Sequence, residues 1–172
     1  IQLSRFIAHG MGWDVDINGR LLRHSVFADP PGRLLAGHET LAEAQVWDGS
    51  TLKFETFVSA YFMGPSGKCY PLHRSEVVLG RGDPTHNDDA MINLAAEPGS
   101  KTVSHQHALV VFSKGQWQIM HLSEVNQTVL NGHSLDGDDR LTLSSGDRVE
   151  LAAVALTFYL GDSPAEPLLY LP

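Results

Sequence analysis

From about Phe57 onward the chain repeats one pattern: a short apolar or β-branched run, a turn signal, and another run. The runs are Phe57–Met63, Lys68–His73, Glu76–Leu79, Met91–Leu94, Ala108–Phe112, Trp117–His121, Thr128–Leu130, Arg140–Leu143, Asp147–Leu151 and Ala155–Leu160. Between them stand turn formers such as Pro65-Ser66-Gly67, Pro98-Gly99, Lys114-Gly115, Asn131-Gly132, Asp136-Gly137 and Ser145-Gly146-Asp147. Gly and Asn tolerate the left-handed backbone that tight turns demand, and Pro presets the turn dihedral. About ten short strands in roughly 105 residues, with almost no helical periodicity, predict a mainly β chain with a β-sandwich over 57–162.

Residues 1–56 have a different texture. Leu3, Phe6 and Ile7 fall at helical spacing with Gly10 as a stop, and Trp13, Val15 and Ile17 then alternate into an Asn18-Gly19 turn. Asp29-Pro30-Pro31-Gly32 marks a loop. The stretch Glu39–Phe54 reads as a helical turn, an Asp48-Gly49 turn and a closing strand with Leu52 and Phe54. That ordering resembles the YukD-like group of ubiquitin-like domains, which implies a small α+β unit over 1–56 ahead of the sandwich. Residues 163–172 form a proline-containing tail. The chain opens at Ile1 without a charged-then-apolar leader, as expected of a fragment or a mature product.

Charge and composition exclude several functions. The net charge is −8, and residues 57–162 hold seven Lys/Arg against twelve Asp/Glu. Phosphate-backbone contacts to nucleic acid need a basic face, so no nucleic-acid partner is expected. Any anion site must be local, built from a few placed donors. No run reaches the roughly 18 apolar residues of a membrane span. The single cysteine, Cys69, rules out an internal disulfide and points to a reducing, cytoplasmic compartment. The nine histidines contain no H-x-x-x-H or H-E-x-x-H pair, and the aspartates near 83–89 and 136–139 lack the spacing of a calcium loop. No metal or cofactor is expected. No G-x-S-x-G elbow accompanies Ser104 and His107, so the chain reads as a non-enzyme.

Three fragments carry the functional signal: Gly80-Arg81, then Ser104-His105-Gln106-His107, then Asn126 followed by Asn131-Gly132. In this order, between strand-like runs and with Trp117 and Gly146-Asp147 downstream, they resemble the forkhead-associated (FHA) domain over about 100 residues. The resemblance implies a phosphothreonine-peptide-binding module acting as a signalling or assembly adaptor. Its partner would be a threonine-phosphorylated protein or a Ser/Thr kinase.

Phosphothreonine carries about −1.5 to −2 charge and three strong acceptor oxygens. Arg81 supplies a permanently charged donor fork for it, and Ser104 a hydroxyl donor. Asn126 can both donate to and accept from the ligand backbone. By resemblance His105 faces the ligand, while Gly80, His107, Asn131 and Gly132 support the site. Arg81-Gly82-Asp83 spells an integrin-binding tripeptide, but it falls inside the Gly-Arg loop and reads as coincidence.

Around Asn126 the chain departs from the family pattern, reading Glu124-Val125-Asn126-Gln127. Val125 replaces a hydroxyl residue of the phosphate site. Gln127 replaces a glycine, raising the question of strain if its φ were positive. Glu124 adds a negative charge nearby. These changes support an alternative: a phosphate-independent scaffold with a degenerate site, in a bacterial assembly similar to the type VII secretion apparatus.

Overall fold

The computed structural model describes residues 10–12, 16–17, 20–29, 33–35, 39–82, 90–137 and 139–164. The chain divides into two compact units, Ile1–Val58 and Ser59–Pro172. The division falls two residues beyond the change in sequence texture.

In the first unit the strands are β1 (Asp16–Ile17), β2 (Arg20–Asp29), β3 (Arg33–Leu34) and β4 (Thr51–Val58). β2 is the organising strand: it pairs antiparallel with β1, β3 and, along eight residues, β4. β1 and β2 pair in the register Asp16↔Leu21 and Ile17↔Arg20, and the expected Asn18-Gly19 turn lies outside the described residues. The helical spacing of Leu3, Phe6 and Ile7, and the residues Trp13 and Val15, lie outside the described residues. The turn before β4 is closed by a reciprocal cap. Thr40 Oγ1 accepts from the Glu43 backbone N–H at 3.2 Å, and Glu43 Oε2 accepts from the Thr40 N–H at 2.8 Å. All pairings among the described residues of this unit are antiparallel, and the ubiquitin-like arrangement is not shown.

The second unit contains β5 (Ala60–Met63), β6 (Cys69–Pro71), β7 (Glu76–Gly80), β8 (Met91–Asn93), β9 (Ala108–Ser113), β10 (Gln116–His121), β11 (Thr128–Leu130), β12 (His133–Ser134), β13 (Arg140–Thr142), β14 (Arg148–Leu151) and β15 (Val154–Leu160). They form two sheets, in the orders β13-β10-β9-β7-β8 and β12-β11-β14-β15-β5-β6. Among the described residues only β7 and β8 pair in parallel. The expected run Phe57–Met63 is cut at Ser59, whose residues on either side belong to β4 and β5. The two-residue strand β12 had no signal of its own.

Alternation along the strands builds the core. Val77 and Leu79 of β7, Ala108 and Val110 of β9, and Trp117 and Ile119 of β10 are buried. From the other sheet come Phe62, Val149, Leu151, Leu156 and Phe158. This period of two, with half-buried or exposed residues such as Val78, Leu109, Gln118 and Glu150 on the other face, is the signature of a sandwich. The register Ser113↔Gln116 joins β9 and β10 through Lys114 and Gly115 at φ 51° and 78°, a left-handed pair whose twist suits a tight hairpin. No helix among the described residues is long and apolar enough to cross a membrane.

Candidate functional site

Strand β7 ends at Gly80, and the next residue, Arg81, begins the loop to β8. The segment Ser104–His105 lies directly against this corner. Arg81 N–H donates to the Ser104 carbonyl at 2.9 Å and Gly82 N–H to that of His105 at 3.2 Å. A β-carbon at Gly80 would overlap the His105 carbonyl, so only glycine permits this approach. Gly82 has φ 62°, and a β-carbon there would press on Asn93 and Met91. The Gly-Arg-Gly sequence therefore brings two loops together backbone to backbone.

The Arg81 guanidinium is held at two points. Its Nε donates to the Val103 carbonyl at 3.2 Å, and Nη2 lies 3.2 Å from His105 Nε2. Because arginine has no lone pair to offer, His105 Nε2 must accept, which leaves that imidazole protonated on Nδ1. Nη1 has no partner among the described residues; Asp83, Asp88 and Asp89 lie outside them.

His107 is fully buried and fastens the neighbouring loops. Its Nδ1 accepts from the Ser104 N–H at 3.1 Å, and its Nε2 lies 3.2 Å from the Gln127 carbonyl, to which it donates. Burial pushes this imidazole below its ordinary range, the bond to Gln127 opposes that, and neighbouring His121 pushes the same way as burial. The neutral form fits both bonds, since one nitrogen accepts while the other donates. The His107 carbonyl also receives the N–H groups of Leu122 and Ser123, fixing the start of the β10–β11 loop.

In that loop the Asn126 side-chain Nδ2 donates to the Thr102 carbonyl at 2.8 Å. Its Oδ1 has no partner among the described residues. Gln127 is not among the described non-glycine residues with positive φ, which are Gln45, Lys114, Asn131 and Ala152. The strain feared at this position is thus absent. Val125 is 81% exposed, and Glu124 is exposed beside it.

One residue of the cluster had no place in the sequence reading. Ser123, 8% exposed, puts its Oγ 2.6 Å from Ser104 Oγ. The same oxygen accepts from the N–H groups of Val125 and Asn126, each at 3.2 Å. The available signal was a serine two and three residues ahead of loop N–H groups, the spacing of a side-chain-capped turn.

Asn131 and Gly132 share no hydrogen bond with Arg81, Ser104 or Asn126 among the described residues. They form the turn between β11 and β12, at φ 51° and 84°. Asn131 Nδ2 donates to Asp147 Oδ1 at 2.8 Å and its Oδ1 accepts from Arg148 N–H at 2.9 Å, tying this turn to the start of β14. Among the described residues no group of three His, Cys, Asp or Glu is placed to hold a metal ion.

Known proteins resemble the second unit. The model of the FHA domain matches residues 77–152 of this chain. The solution structure of the FHA domain of an Arabidopsis thaliana hypothetical protein superposes with a TM-score of 0.50 at 20% identity, covering 64% of this chain and 92% of that one. Mycobacterium tuberculosis EmbR, in complex with a low-affinity phosphopeptide, gives 0.49 at 23% identity, covering 62% of this chain and 25% of that one. The chain thus spans about a quarter of EmbR's length. The N-terminal FHA domain of S. cerevisiae Rad53p, in complex with a phosphothreonine peptide, gives 0.47 at 17% identity, covering 60% of this chain and 94% of that one. A search of the curated proteins returns no match.

Proposed function

We propose, from the premise that residues 77–152 match the FHA domain model, that this chain is a non-catalytic reader of phosphothreonine peptides. The observation that carries the reading is the 2.9 Å bond from Arg81 N–H to the Ser104 carbonyl across Gly80. It sets a charged donor fork and a hydroxyl at one edge of the sandwich. FHA domains belong to the modules that recognise phosphorylated motifs through arginine. Arg81 Nη1 and the outward edge of its guanidinium take two phosphate oxygens, and Ser104 donates to a third. Neutral His105 orients the guanidinium. Asn126 Oδ1 accepts from a peptide N–H beside the phosphorylated residue.

Phosphothreonine differs from phosphoserine by one methyl, worth about 1 kcal/mol when buried. The partner is a threonine-phosphorylated protein or the Ser/Thr kinase itself, met in the cytoplasm. For the first unit, the capped turn at Thr40 and Glu43 followed by β4 supports a ubiquitin-like reading.

A second reading, a phosphate-independent scaffold in a secretion-like assembly, is favoured by one observation. Val125 places an exposed apolar side chain where a phosphate-binding hydroxyl was expected. Fluorescence anisotropy against degenerate phosphothreonine, phosphoserine and unphosphorylated peptide pools separates the two. Binding confined to the phosphothreonine pool and abolished by Arg81→Ala supports the reader. A folded protein that binds none of the pools leaves the scaffold.

A further inference from the structure

We infer that Ser123 is a positioning residue that fixes the direction of the Ser104 hydroxyl, and so replaces in function the hydroxyl missing at Val125. The inference rests on the phosphopeptide reading above and names how that site is completed in this chain.

The direction follows from counting protons and lone pairs. A serine hydroxyl has one proton to donate and two lone pairs to accept with. Ser123 Oγ has three neighbours: the Val125 N–H at 3.2 Å, the Asn126 N–H at 3.2 Å and Ser104 Oγ at 2.6 Å. The two backbone groups can only donate, so they occupy both lone pairs. The remaining bond must be Ser123 O–H donating to Ser104 Oγ. Ser104 Oγ has no other partner among the described residues, and its own proton is left to point away from Ser123.

The result is a relay with every arrow running one way: two backbone N–H groups to Ser123, Ser123 to Ser104, and Ser104 outward. Successive donors in such a chain polarise one another, and the last hydroxyl becomes a better donor to an anion. Ser123 is buried while Ser104 is half-exposed, so Ser104 meets the ligand and Ser123 does not. Val125, with its side chain in solvent, has no part in the relay beyond its backbone N–H.

The test measures binding of a fluorescein-labelled phosphothreonine peptide pool to Ser104→Ala, Ser123→Ala, Ser123→Thr and the double alanine variant, with Arg81→Ala beside them. Loss of a hydrogen bond to a charged group weakens binding about tenfold to a hundredfold, the expectation for Ser104→Ala. Ser123→Ala is expected to weaken it about threefold to thirtyfold. The double variant should lie within about twofold of Ser104→Ala, because residues acting through one bond are not additive. Ser123→Thr, which retains the hydroxyl, should bind within about threefold of the unaltered chain. If Ser123→Ala fails to fold, Ser123→Cys serves in its place, keeping the size but offering a weak donor.

Independent, multiplying losses in the double variant would show that Ser123 merely caps its loop, and would overturn the inference. So would full binding by Ser123→Ala while Arg81→Ala abolishes it, an outcome that leaves the phosphopeptide reading standing. If the unaltered chain binds no phosphothreonine peptide, both fall together.

Discussion

The carbonyl oxygen of His105 lies where a β-carbon on Gly80 would have to be. The strand that delivers Arg81 and the loop that delivers Ser104 meet there without an intervening side chain, and the position of the whole cluster depends on that contact. Gly80→Ala forces backbone against backbone, which no side-chain rotation can relieve. Overpacking of this kind costs about 1–3 kcal/mol. The variant is expected to unfold at correspondingly lower urea concentration and to lose phosphopeptide binding even where it remains folded. An alanine variant that binds as tightly as the parent would show that the close approach does not set the site.

Much of this was legible beforehand, and the limits have physical reasons. The period of two along β7, β9, β10, β14 and β15 is a property of the chain alone, so the sandwich could be read from it. Gly80-Arg81 and Ser104–His107 were visible because each motif is local. Ser123 was not, since its significance is a 2.6 Å contact with a residue 19 positions away. Nor did the sequence reveal that Asn126 spends its side-chain N–H on Thr102, a bond across two loops. The strand β12 spans two residues, too short for any periodicity to register.

A second buried arrangement lies outside the candidate site. Glu97 is 3% exposed, and its carboxylate accepts from Tyr70 O–H at 2.6 Å, Ser66 O–H at 2.7 Å and Ser66 N–H at 3.0 Å. A β-carbon on Gly64 would overlap this carboxylate, so the turn at 64–67 is wrapped closely around it. Glu97→Gln turns one acceptor oxygen into a donor facing donors. Hydrogen bonds to a charged group are worth about 1.5–3 kcal/mol, and a loss of that size is expected in urea unfolding. Tyr70→Phe removes a single donor and should cost less. Equal stability of Glu97→Gln and the parent would mean that the three bonds contribute nothing net.

The β14–β15 hairpin holds a relievable strain. Ala152 has φ 54°, a left-handed conformation that disfavours any residue with a β-carbon. Its N–H donates to the Gln127 carbonyl at 3.2 Å, and the next N–H reaches Thr102 Oγ1 at 3.2 Å, so the bent backbone is used to brace the loops that carry Asn126. Ala152→Gly keeps both N–H groups and removes the steric cost, offset in part by the freedom glycine gains when unfolded. A net stabilisation of about 0.5–1 kcal/mol is expected, read as a raised urea midpoint with unchanged slope. A lowered midpoint would show that the methyl group packs more than its backbone angle costs.

Acid should loosen the second unit in two separate windows. Burial and the nearby His121 hold His107 below its ordinary value of 6.5, against the opposing pull of Gln127. The folded chain therefore binds a proton there less readily than the unfolded chain does. Above the ordinary histidine value neither state is protonated and no stability is lost. As pH falls through that value toward the folded one, the unfolded state gains the proton first and stability drops. Glu97 acts lower: burial alone would raise its carboxyl above the ordinary 4.5, but the bonds from Tyr70 and Ser66 and the charge of Lys68 hold it below. Its contribution is complete above that ordinary value and is lost as pH falls through the depressed one. His24 in the first unit is also lowered by burial, so the slope of the whole chain does not isolate His107. The decisive measurement is the NMR titration of the His107 ring beside urea midpoints from about pH 7.5 to about pH 5.5. The ring should titrate below 6.5 while the midpoint falls. Protonation would also take Nδ1 away from the Ser104 N–H, so the Ser104 amide resonance should shift in step with the ring. A ring that titrates above 6.5, or a Ser104 amide that ignores it, would remove His107 as the fastening between these loops.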